Sequence, residues 1–330
     1  MRSGKELVMA TKEFAKENRQ VSWLHLVTTL ILLAFFLTVS LLKVNLFIRI
    51  GCSLVASLLI VRMFIIYHDY LHRTILQKSP LAKIIMTVYG ILVLNPPSIW
   101  KRSHDYHHKH NSKFLSANIG SYPIMTKAKY LKSTPGEKFI YLAVRHPFTI
   151  LFGYIFMFIY GMCIQSFIAN PKLHKDALIA LIVHGMIIVL VAYFGGWLSL
   201  VLGIFVPFFI SSAIGAYLFY AQHNFPGVQF KNNEDWTYFS AAMDSSSFMV
   251  MNPVLRWLTG NIGYHHIHHI NAHIPFYRLR ETMRKMPEFQ SAKKTSLNPF
   301  EINRCLNLKV WDADKMQMVG MKGIYGKNKG

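Results

Sequence analysis

Residues 177–230 read ALIALIVHGMIIVLVAYFGGWLSLVLGIFVPFFISSAIGAYLFYAQHNFPGVQF, without a single Asp, Glu, Lys or Arg. A helix needs about 20 apolar residues to cross the hydrocarbon core of a bilayer, so this stretch is long enough for two crossings. Gly195 and Gly196 interrupt it near its middle, where a turn between two crossings would fall. The stretch therefore predicts a pair of transmembrane helices in a polytopic membrane protein.

The rest of the 330-residue chain, which is 52% hydrophobic, extends this prediction. Four crossings are predicted, at 22–42, about 46–66, 177–194 and 198–220. Two further apolar stretches, 81–99 and 148–168, are expected to lie in the membrane plane or to enter the membrane only partly. Residues 81–99 start after Ser79-Pro80 and end in Asn95-Pro96-Pro97, which suits a re-entrant or in-plane segment better than a full crossing.

The charge of the chain predicts its orientation. The net charge is +21, and the excess of Lys and Arg lies in residues 73–145 and 231–330. By the positive-inside rule both termini face the cytoplasm. A basic face would equally suit anionic lipid headgroups or an acidic electron donor. The three cysteines are scattered and are interpreted as buried packing residues.

Three histidine motifs lie at the edges of the apolar stretches: HDYLH at 68–72, HDYHH at 104–108 and HHIHH at 265–269. Residues three and four apart share one face of a helix, so each motif can aim two or more imidazoles at one point. His223, which directly follows the last predicted crossing, can add one more. Nine candidate ligands result, enough for two first-row metal ions with open positions: His68, His72, His104, His107, His108, His223, His265, His268 and His269.

A shared metal site constrains the topology, because all three motifs must then lie on one side of the membrane. An even number of crossings must separate successive motifs, which favours four crossings. A version with six crossings would place the second motif on the opposite side. The predicted fold is thus an all-α integral membrane protein with four transmembrane helices under a cytoplasmic, histidine-rich helical cap.

The ligand types narrow the metal chemistry. The sequence has no HExxH and no ExxH motif, so the zinc-protease pattern and the soluble carboxylate-bridged di-iron pattern are absent. Ligation by imidazoles alone suits iron, copper or zinc. Asp69, Asp105 or Asp244 could accept the second ring N–H of a ligand histidine and fix its tautomer, or could equally be solvated or helix-capping.

The remaining histidines are interpreted as core, interface or loop residues, with those beside the motifs as candidates for outer contacts: His25, His146, His174, His184, His110, His266 and His273.

These residues resemble the membrane fatty acid desaturases. The family pattern HxxxH, HxxHH and HxxHH is met by the three motifs, and Trp100-Lys101-Arg102-Ser103 looks like the family's approach to the second motif. Residues 257–264, the HHIHH motif and residues 273–277 look like bacterial acyl-lipid desaturases, and residues 220–225 resemble the family's QH segment. The resemblance covers roughly residues 20–290.

The resemblance implies a di-iron centre that activates O2 and removes two hydrogens from an acyl chain of a membrane lipid, without catalytic residues beyond the metal ligands. Family members also use an asparagine that contacts one iron through water. In this chain Phe219 occupies the position where some members have it, and Asn261 is a substitute candidate.

The expected organisation follows from the resemblance. Residues 1–21 form a cytoplasmic amphipathic N-terminus, 22–300 the membrane desaturase domain and 301–330 a cytoplasmic tail, with 311–330 loose. Electrons are expected from a separate ferredoxin or flavodoxin, and no nucleic-acid partner is expected. The expected location is a bacterial cytoplasmic membrane with the active site facing the cytoplasm.

Two alternatives stay open at this point. A carotenoid- or sterol-type hydroxylase or ketolase would carry the same motifs. A membrane metal transporter or sensor would need ionisable residues in mid-membrane, and the predicted crossings offer only His184.

Overall fold

The computed structural model describes residue 2 and residues 4–113, 122–231, 234 and 236–326. Over these residues the chain is mostly helical and has several apolar helices, as the sequence predicts. The helices of the first half are α1 (Gly4–Ala10), α2 (Arg19–Leu41), α3 (Leu46–Leu71), α4 (Pro80–Leu92), α5 (Pro97–His110), α6 (Lys127–Lys132), α7 (Pro135–Val144) and α8 (Pro147–Leu151). Those of the second half are α9 (Ser166–Ala169), α10 (Lys175–Leu200), α11 (Val206–Ala221), α12 (Tyr238–Asp244), α13 (Pro253–Leu258), α14 (His265–Ile270), α15 (Leu279–Lys285), α16 (Pro299–Asn307) and α17 (Met321–Tyr325).

Shorter elements connect these helices. Turns of π-helix run over Tyr154–Gln165 and Val201–Phe205, and 3₁₀ turns over Thr11–Ala15, Phe276–Arg278 and Pro287–Ser291. Strands β1 (Phe248–Val250) and β2 (Lys294–Ser296) pair in parallel. Strands β3 (Val310–Asp312) and β4 (Gln317–Val319) form an antiparallel hairpin.

Three helical stretches of the described residues are long and apolar enough to cross a membrane: Arg19–Leu41, Leu46–Leu71 and Lys175–Ala221. A fourth is obtained if α4 and α5, which meet at a bend of 91°, are counted as one broken span. The apolar helix over Tyr154–Ala169 is shorter than a span.

The stretch Lys175–Ala221 is broken at Gly196, whose φ of 73° and ψ of 180° are not helical. Around this break the chain lies beside the connection between α2 and α3. The Arg49 guanidinium donates to Ser199 Oγ (2.9 Å), and Gly203 packs against Leu41 so closely that a Cβ there would meet the leucine side chain. The break therefore lies at the end of the molecule where α2 turns into α3.

Both ends of the same stretch lie at the opposite end of the molecule. Near its start, Asp176 accepts a hydrogen bond from Ser98 on α5 (2.6 Å). At its finish, α11 leads directly into His223, which lies against His107 of α5. The chain thus runs away from the histidine motifs before Gly196 and returns to them after it.

The C-terminal residues are folded, so the expectation of a loose segment over 311–330 is wrong for residues 311–326. Trp311 is 1% exposed and lies on β3, and its neighbour Val310 is fully buried. Their partners on β4, Met318 and Val319, are also buried. These four buried apolar side chains hold the hairpin against the rest of the molecule. The sequence shows no sign of it, because Lys and Gly residues dominate the surrounding segment. Residues 327–330 lie outside the described residues.

Candidate metal centre

The first histidine motif lies on the last turn of α3. His68 and His72 are four residues apart, so both imidazoles leave the same face of the helix. His68 is 3% exposed, and the rings of the two histidines lie 4.6 Å apart between centroids. The apolar helix α3 thus ends in a turn that presents two imidazoles.

The second motif lies on α5, which begins at two consecutive prolines. Proline is well placed at the first turn of a helix, where its missing N–H has no partner to lose. His104, His107 and His108 are all buried, on the face of α5 that points inward. Trp100, one turn earlier on the same face, stacks on the His104 ring at 4.2 Å and fixes its orientation.

The third motif lies on the short helix α14, where His265, His268 and His269 are each at most 3% exposed. His223 follows the C-terminal end of α11. Its Nδ1 lies 2.9 Å from the carbonyl oxygen of Ser245, so Nδ1 carries the proton and donates. The lone pair of His223 is therefore on Nε2, which faces the other histidines.

The nine predicted histidines come together in two groups. The five-histidine group consists of His68, His72, His104, His108 and His268. The four-histidine group consists of His107, His223, His265 and His269. Within each group, one ring nitrogen of every residue lies within 4.8 Å of those of the others.

The four-histidine group forms a closed ring of Nε2 atoms. Successive distances around it are 3.0 Å from His107 to His223, 2.9 Å to His265, 3.1 Å to His269 and 3.3 Å back to His107. A planar ring with these edges has its centre about 2.2 Å from each nitrogen, close to the usual metal–imidazole distance of about 2.0–2.1 Å. These four neutral imidazoles could therefore hold one first-row metal ion.

The five-histidine group has the same spacing. Nε2 of His104 lies 3.0 Å from that of His68 and 3.1 Å from that of His108, which is in turn 3.0 Å from that of His268. His72 Nε2 is buried and has no hydrogen-bond partner among the described residues. A buried nitrogen without a partner is costly, and a metal ion shared with the other four would satisfy it.

The protonation state of these residues suits metal binding, which requires a neutral imidazole. Burial lowers the pKa of His223 to about 4. Burial, and then the neighbouring imidazoles, lower the pKa values of His265, His268 and His269 well below the usual value. The rings are therefore neutral at physiological pH, and their lone pairs are available.

The four candidates for outer contacts have different surroundings. Asp69 is 1% exposed, and its Oδ1 lies 3.0 Å from Nδ1 of His68. Asp105 is half-exposed and pairs with Lys101 on the surface of α5. Asp244 is at the C-terminal end of α12, where its carbonyl oxygen accepts from Gln229 N (3.1 Å). The Asn261 amide donates to the carbonyl oxygen of Phe276 (3.1 Å). Among these four, only the Asp69 side chain has a hydrogen bond to a grouped histidine among the described contacts.

The seven other histidines take no part in either group within the described part of the chain. His266 is fully buried beside the rings of Phe248 and Phe289. His110 stacks on Tyr106 at 4.0 Å, and His25 contacts the Arg62 guanidinium (3.0 Å). The interpretation of these residues as packing or interface histidines agrees with their positions.

Sequence reasoning gave no contact at the site to Arg145 or Ser245, and it noted Trp100 only as part of the segment before the second motif. Trp100 stacks on His104, and the fully buried Arg145 donates to Asn224, the residue after His223. The carbonyl of Ser245 sets the tautomer of His223. The position of Trp100, four residues before a motif histidine on one helix, is a signal that periodicity could have revealed. The contacts of Arg145 and Ser245 are long-range and leave no local signal.

The chain matches a protein-family model described as fatty acid desaturase over residues 44–300. It is 30% identical to a fatty acid desaturase of Bacillus subtilis (strain 168), over 97% of this chain and 91% of the relative. It is 22% identical to a delta-12 fatty acid desaturase of Vernicia fordii, over 81% of this chain and 74% of the relative. It is 25% identical to an sn-1 acyl-lipid omega-3 desaturase (ferredoxin) of Nostoc sp. (strain 36), over 66% of this chain and 61% of the relative. These relatives favour neither a hydroxylase or ketolase nor a metal transporter.

Proposed function

The chain belongs to the fatty acid desaturase family, and on that premise we propose that it introduces a double bond into an acyl chain of a membrane lipid at a histidine-ligated di-iron centre. The reaction converts two adjacent methylene groups into a cis or trans alkene and reduces O2 to two waters, with two electrons and two protons supplied from outside. The proposal is supported above all by the two histidine groups, in each of which neighbouring Nε2 atoms lie about 3 Å apart.

The five-histidine group and the four-histidine group would each hold one iron. When bound, the iron pair supplies the activation of O2 that breaking an unactivated aliphatic C–H bond requires. All-imidazole ligation fits iron. The nine histidines are proposed as the ligands, with Asp69 fixing the His68 ring from behind.

The protein residues around the groups keep the ligand set neutral and dry. Every histidine of the two groups except His72 and His223 is buried, and the Trp100 ring covers His104. Exclusion of water strengthens the electrostatic interactions inside the site and protects the oxidant from side reactions. The hydrogen bonds from His223 to Ser245 and from His68 to Asp69 keep the lone pairs on the Nε2 atoms.

An apolar pocket of about 340 Å³ offers space for an acyl chain near the groups. It lies between α3, α11 and α13 and is lined by residues such as Val61, Ile214, Leu218 and Leu258. Val61 is seven residues before His68 on one helix, which places the pocket about 10 Å from the first motif. Methylene groups offer no polar handle, so the length and shape of such a pocket would select the carbon pair.

The membrane arrangement proposed for this site has four crossings, formed by α2, α3 and the two arms of Lys175–Ala221 on either side of Gly196. The surplus of Lys and Arg around the histidine motifs supports a cytoplasmic location for the site. Similarity to the Bacillus subtilis relative supports a bacterial cytoplasmic membrane.

A separate protein is proposed to deliver the electrons. The Nostoc relative is described as a ferredoxin-type enzyme, and ferredoxins or flavodoxins are the candidate donors here. On the outer face of α5, Arg102 and Lys109 are exposed on the helix that carries His104, His107 and His108. A helix is about 10–12 Å across with its side chains, so an acidic donor seated there would lie about one helix width from the ligands.

The test is fatty acid methyl ester profiling of a desaturase-deficient bacterial host that expresses the chain. We expect a new unsaturated ester, whose fragmentation gives the bond position, and its loss in the double variant His107→Ala, His108→Ala. The variant His110→Ala is the matched control, because it removes a histidine of the same helix that belongs to neither group. A hydroxylated or ketonic product in place of the alkene would contradict the proposal.

A further inference from the structure

The three residues Gln222, His223 and Asn224 are held by three different parts of the molecule. Gln222 Nε2 donates to the carbonyl oxygen of Ile262 (2.8 Å), shortly before the third motif. His223 Nδ1 donates to Ser245. Asn224 Nδ2 donates to the carbonyl oxygen of Cys305 (2.7 Å) at the end of α16. The last backbone hydrogen bonds of α11 end at Gln222 and His223, so the side-chain contacts add the connections that the helix no longer supplies.

Arg145 is the second anchor of Asn224. Its side chain is fully buried, and its Nη2 lies 2.7 Å from Asn224 Oδ1 and 3.2 Å from the Tyr220 hydroxyl. The same guanidinium donates to the carbonyl oxygens of Pro123 (2.8 Å) and Leu308 (3.3 Å). Tyr220 lies three residues before His223 and Asn224 directly after it, so Arg145 contacts the chain on both sides of the ligand.

No carboxylate forms an ion pair with Arg145 among the described residues. Instead, its backbone carbonyl accepts from Lys309 Nζ (2.9 Å), a second buried cation. A buried guanidinium without a counter-charge is expensive to desolvate. The Arg145 guanidinium donates to an amide oxygen, a hydroxyl and two carbonyl oxygens, and a smaller neutral side chain could not reach all of them. The planar guanidinium therefore serves to hold these groups in place.

We propose that Arg145 is a positioning residue for the four-histidine group, because its guanidinium fixes Asn224 and Tyr220 and thereby holds the His223 imidazole in the ring of four nitrogens. This inference rests on the proposed metal centre. It also makes residues 305–309, which lie beyond the part of the chain matched by the family model, a structural part of the second metal site.

A positioning role and an electrostatic role for Arg145 predict opposite effects of its substitution on iron binding. A cation near a metal ion repels it, so if the charge of Arg145 dominated, Arg145→Met would tighten iron binding and Arg145→Lys would leave it unchanged. If positioning dominates, both variants weaken binding at the four-histidine group, because lysine cannot reproduce the fork of donors. Loss of a residue that orients a ligand usually weakens metal binding by about 10–100-fold.

The experiment is an anaerobic titration of Fe(II) into the purified, metal-free full-length chain in detergent, with bound iron counted per chain. We expect two irons in the wild type, and in Arg145→Met and Arg145→Lys one tight iron plus a second bound about 10–100-fold more weakly. Asn224→Leu should behave like them, because leucine can neither accept from Arg145 nor donate to the Cys305 carbonyl oxygen. Adding His265→Ala to Arg145→Met should then cost no further tight iron, whereas adding His104→Ala should remove the remaining one.

The matched control is Arg49→Met. Arg49 is also a buried arginine, with 5% exposure, but its guanidinium donates hydrogen bonds to Ser40 and Ser199 at the far end of the molecule. Two tight irons in both Arg145 variants, or an equal loss in Arg49→Met, would overturn the positioning role and leave Arg145 a general stabilising residue. A wild-type chain that binds fewer than two irons would instead count against the di-iron proposal itself.

Discussion

Asp69 connects two of the histidine-bearing segments. Its Oδ1 lies 3.0 Å from His68 Nδ1, and its Oδ2 accepts from the backbone N–H of Phe276 (2.7 Å), shortly after the third motif. In Asp69→Asn one of these two contacts must face an amide NH2 group, which cannot accept. We expect iron bound at the five-histidine group to weaken by about 10–100-fold, measured by competition with a calibrated iron chelator.

Asp105→Asn is the control for this prediction. Asp105 also directly follows a motif histidine, but it is half-exposed and pairs with Lys101. An exposed pair of this kind contributes about 0–1 kcal/mol, so iron binding should not change. Equal weakening in both variants would show that the Asp69 contacts are not what orients His68.

The buried histidines make the metal-free protein sensitive to acid. His223 has a pKa of about 4 in the folded chain because it is buried, against about 6.5 when unfolded. The neutral form is thus favoured by folding, and its contribution is complete above about pH 6.5 and is lost as the pH falls towards 4. Each such histidine contributes about 1.4 kcal/mol per pH unit in that window.

We therefore expect the Tm of the metal-free chain to fall steadily between pH 6.5 and pH 5, and less steeply in His223→Gln. His273→Gln, at an exposed position, should keep the wild-type slope. A Tm that is constant across this window would mean that the imidazoles are not held neutral by the fold.

At the scale of elements, the connection from α13 to the third motif depends on Gly260. Its φ is 52°, in the left-handed range that costs an L-residue about 1–2 kcal/mol. A Cβ there would lie 2.7 Å from Ile65 Cγ2 on α3, three residues before His68. Gly260→Ala should therefore separate α3 from the third motif, with lower Tm and weaker iron binding, and Ile65→Ala should restore part of the loss.

Gly185→Ala is the comparison for this change. Gly185 lies inside α10, and nothing is within 4 Å of the Cβ that alanine would add. Alanine favours a helix over glycine by about 1 kcal/mol, so the Tm should stay the same or rise. A wild-type Tm for Gly260→Ala would mean that the α13 connection relaxes without affecting α3.

Helix α7 has an apolar face that no other described element covers. Phe139 is 74% exposed and Ile140 65%, and the exposed apolar surface continues into α8 at Phe148 and Leu151. With Lys138 beside Phe139, this pattern is that of a helix lying in the membrane interface. We expect a fluorophore attached at Phe139→Cys to be quenched by lipids that carry a nitroxide near the headgroup.

The labelling is specific because Cys52, Cys163 and Cys305 are all buried. Lys315→Cys, on the exposed turn between β3 and β4, is the control and should escape quenching. Equal quenching at both positions would contradict an interfacial location that is particular to α7.

At the scale of the whole molecule, the sequence predicts what is encoded locally. The helical face shared by His104, His107 and His108 follows from a period of 3.6 residues, and so do the long apolar helices. The difference between Asp69 and Asp105 could not be predicted, because both follow a histidine and the contact of Asp69 with Phe276 joins residues far apart in the chain. The contacts of Arg145 and the hydrogen bond from Trp311 of β3 to the Met125 carbonyl oxygen likewise join residues far apart in the chain.

The contacts at the two ends of Lys175–Ala221 constrain its path through the membrane. The ring nitrogens of His107 and His223 lie 3.0 Å apart, and the Ser98 hydroxyl donates a hydrogen bond to Asp176 (2.6 Å). Both ends of Lys175–Ala221 therefore lie beside α5. A single crossing would place these ends on opposite faces of a bilayer about 30 Å thick. We therefore expect the stretch to cross twice and to return at Gly196, on the side where Lys43 joins α2 to α3.

Single cysteines at two exposed positions, Lys43→Cys and Lys172→Cys, test this path. In intact bacterial cells a membrane-impermeant maleimide should label position 43 and spare position 172 until the cells are lysed, because the positive-inside rule predicts that the histidine end faces the cytoplasm. Labelling of position 172 alone would mean that the orientation of the protein in the membrane is the reverse of the proposed one. Labelling of both positions from outside would contradict the proposed path, in which the hydrogen bonds from Arg49 to Ser199 and from Ser98 to Asp176 lie on opposite sides of the membrane.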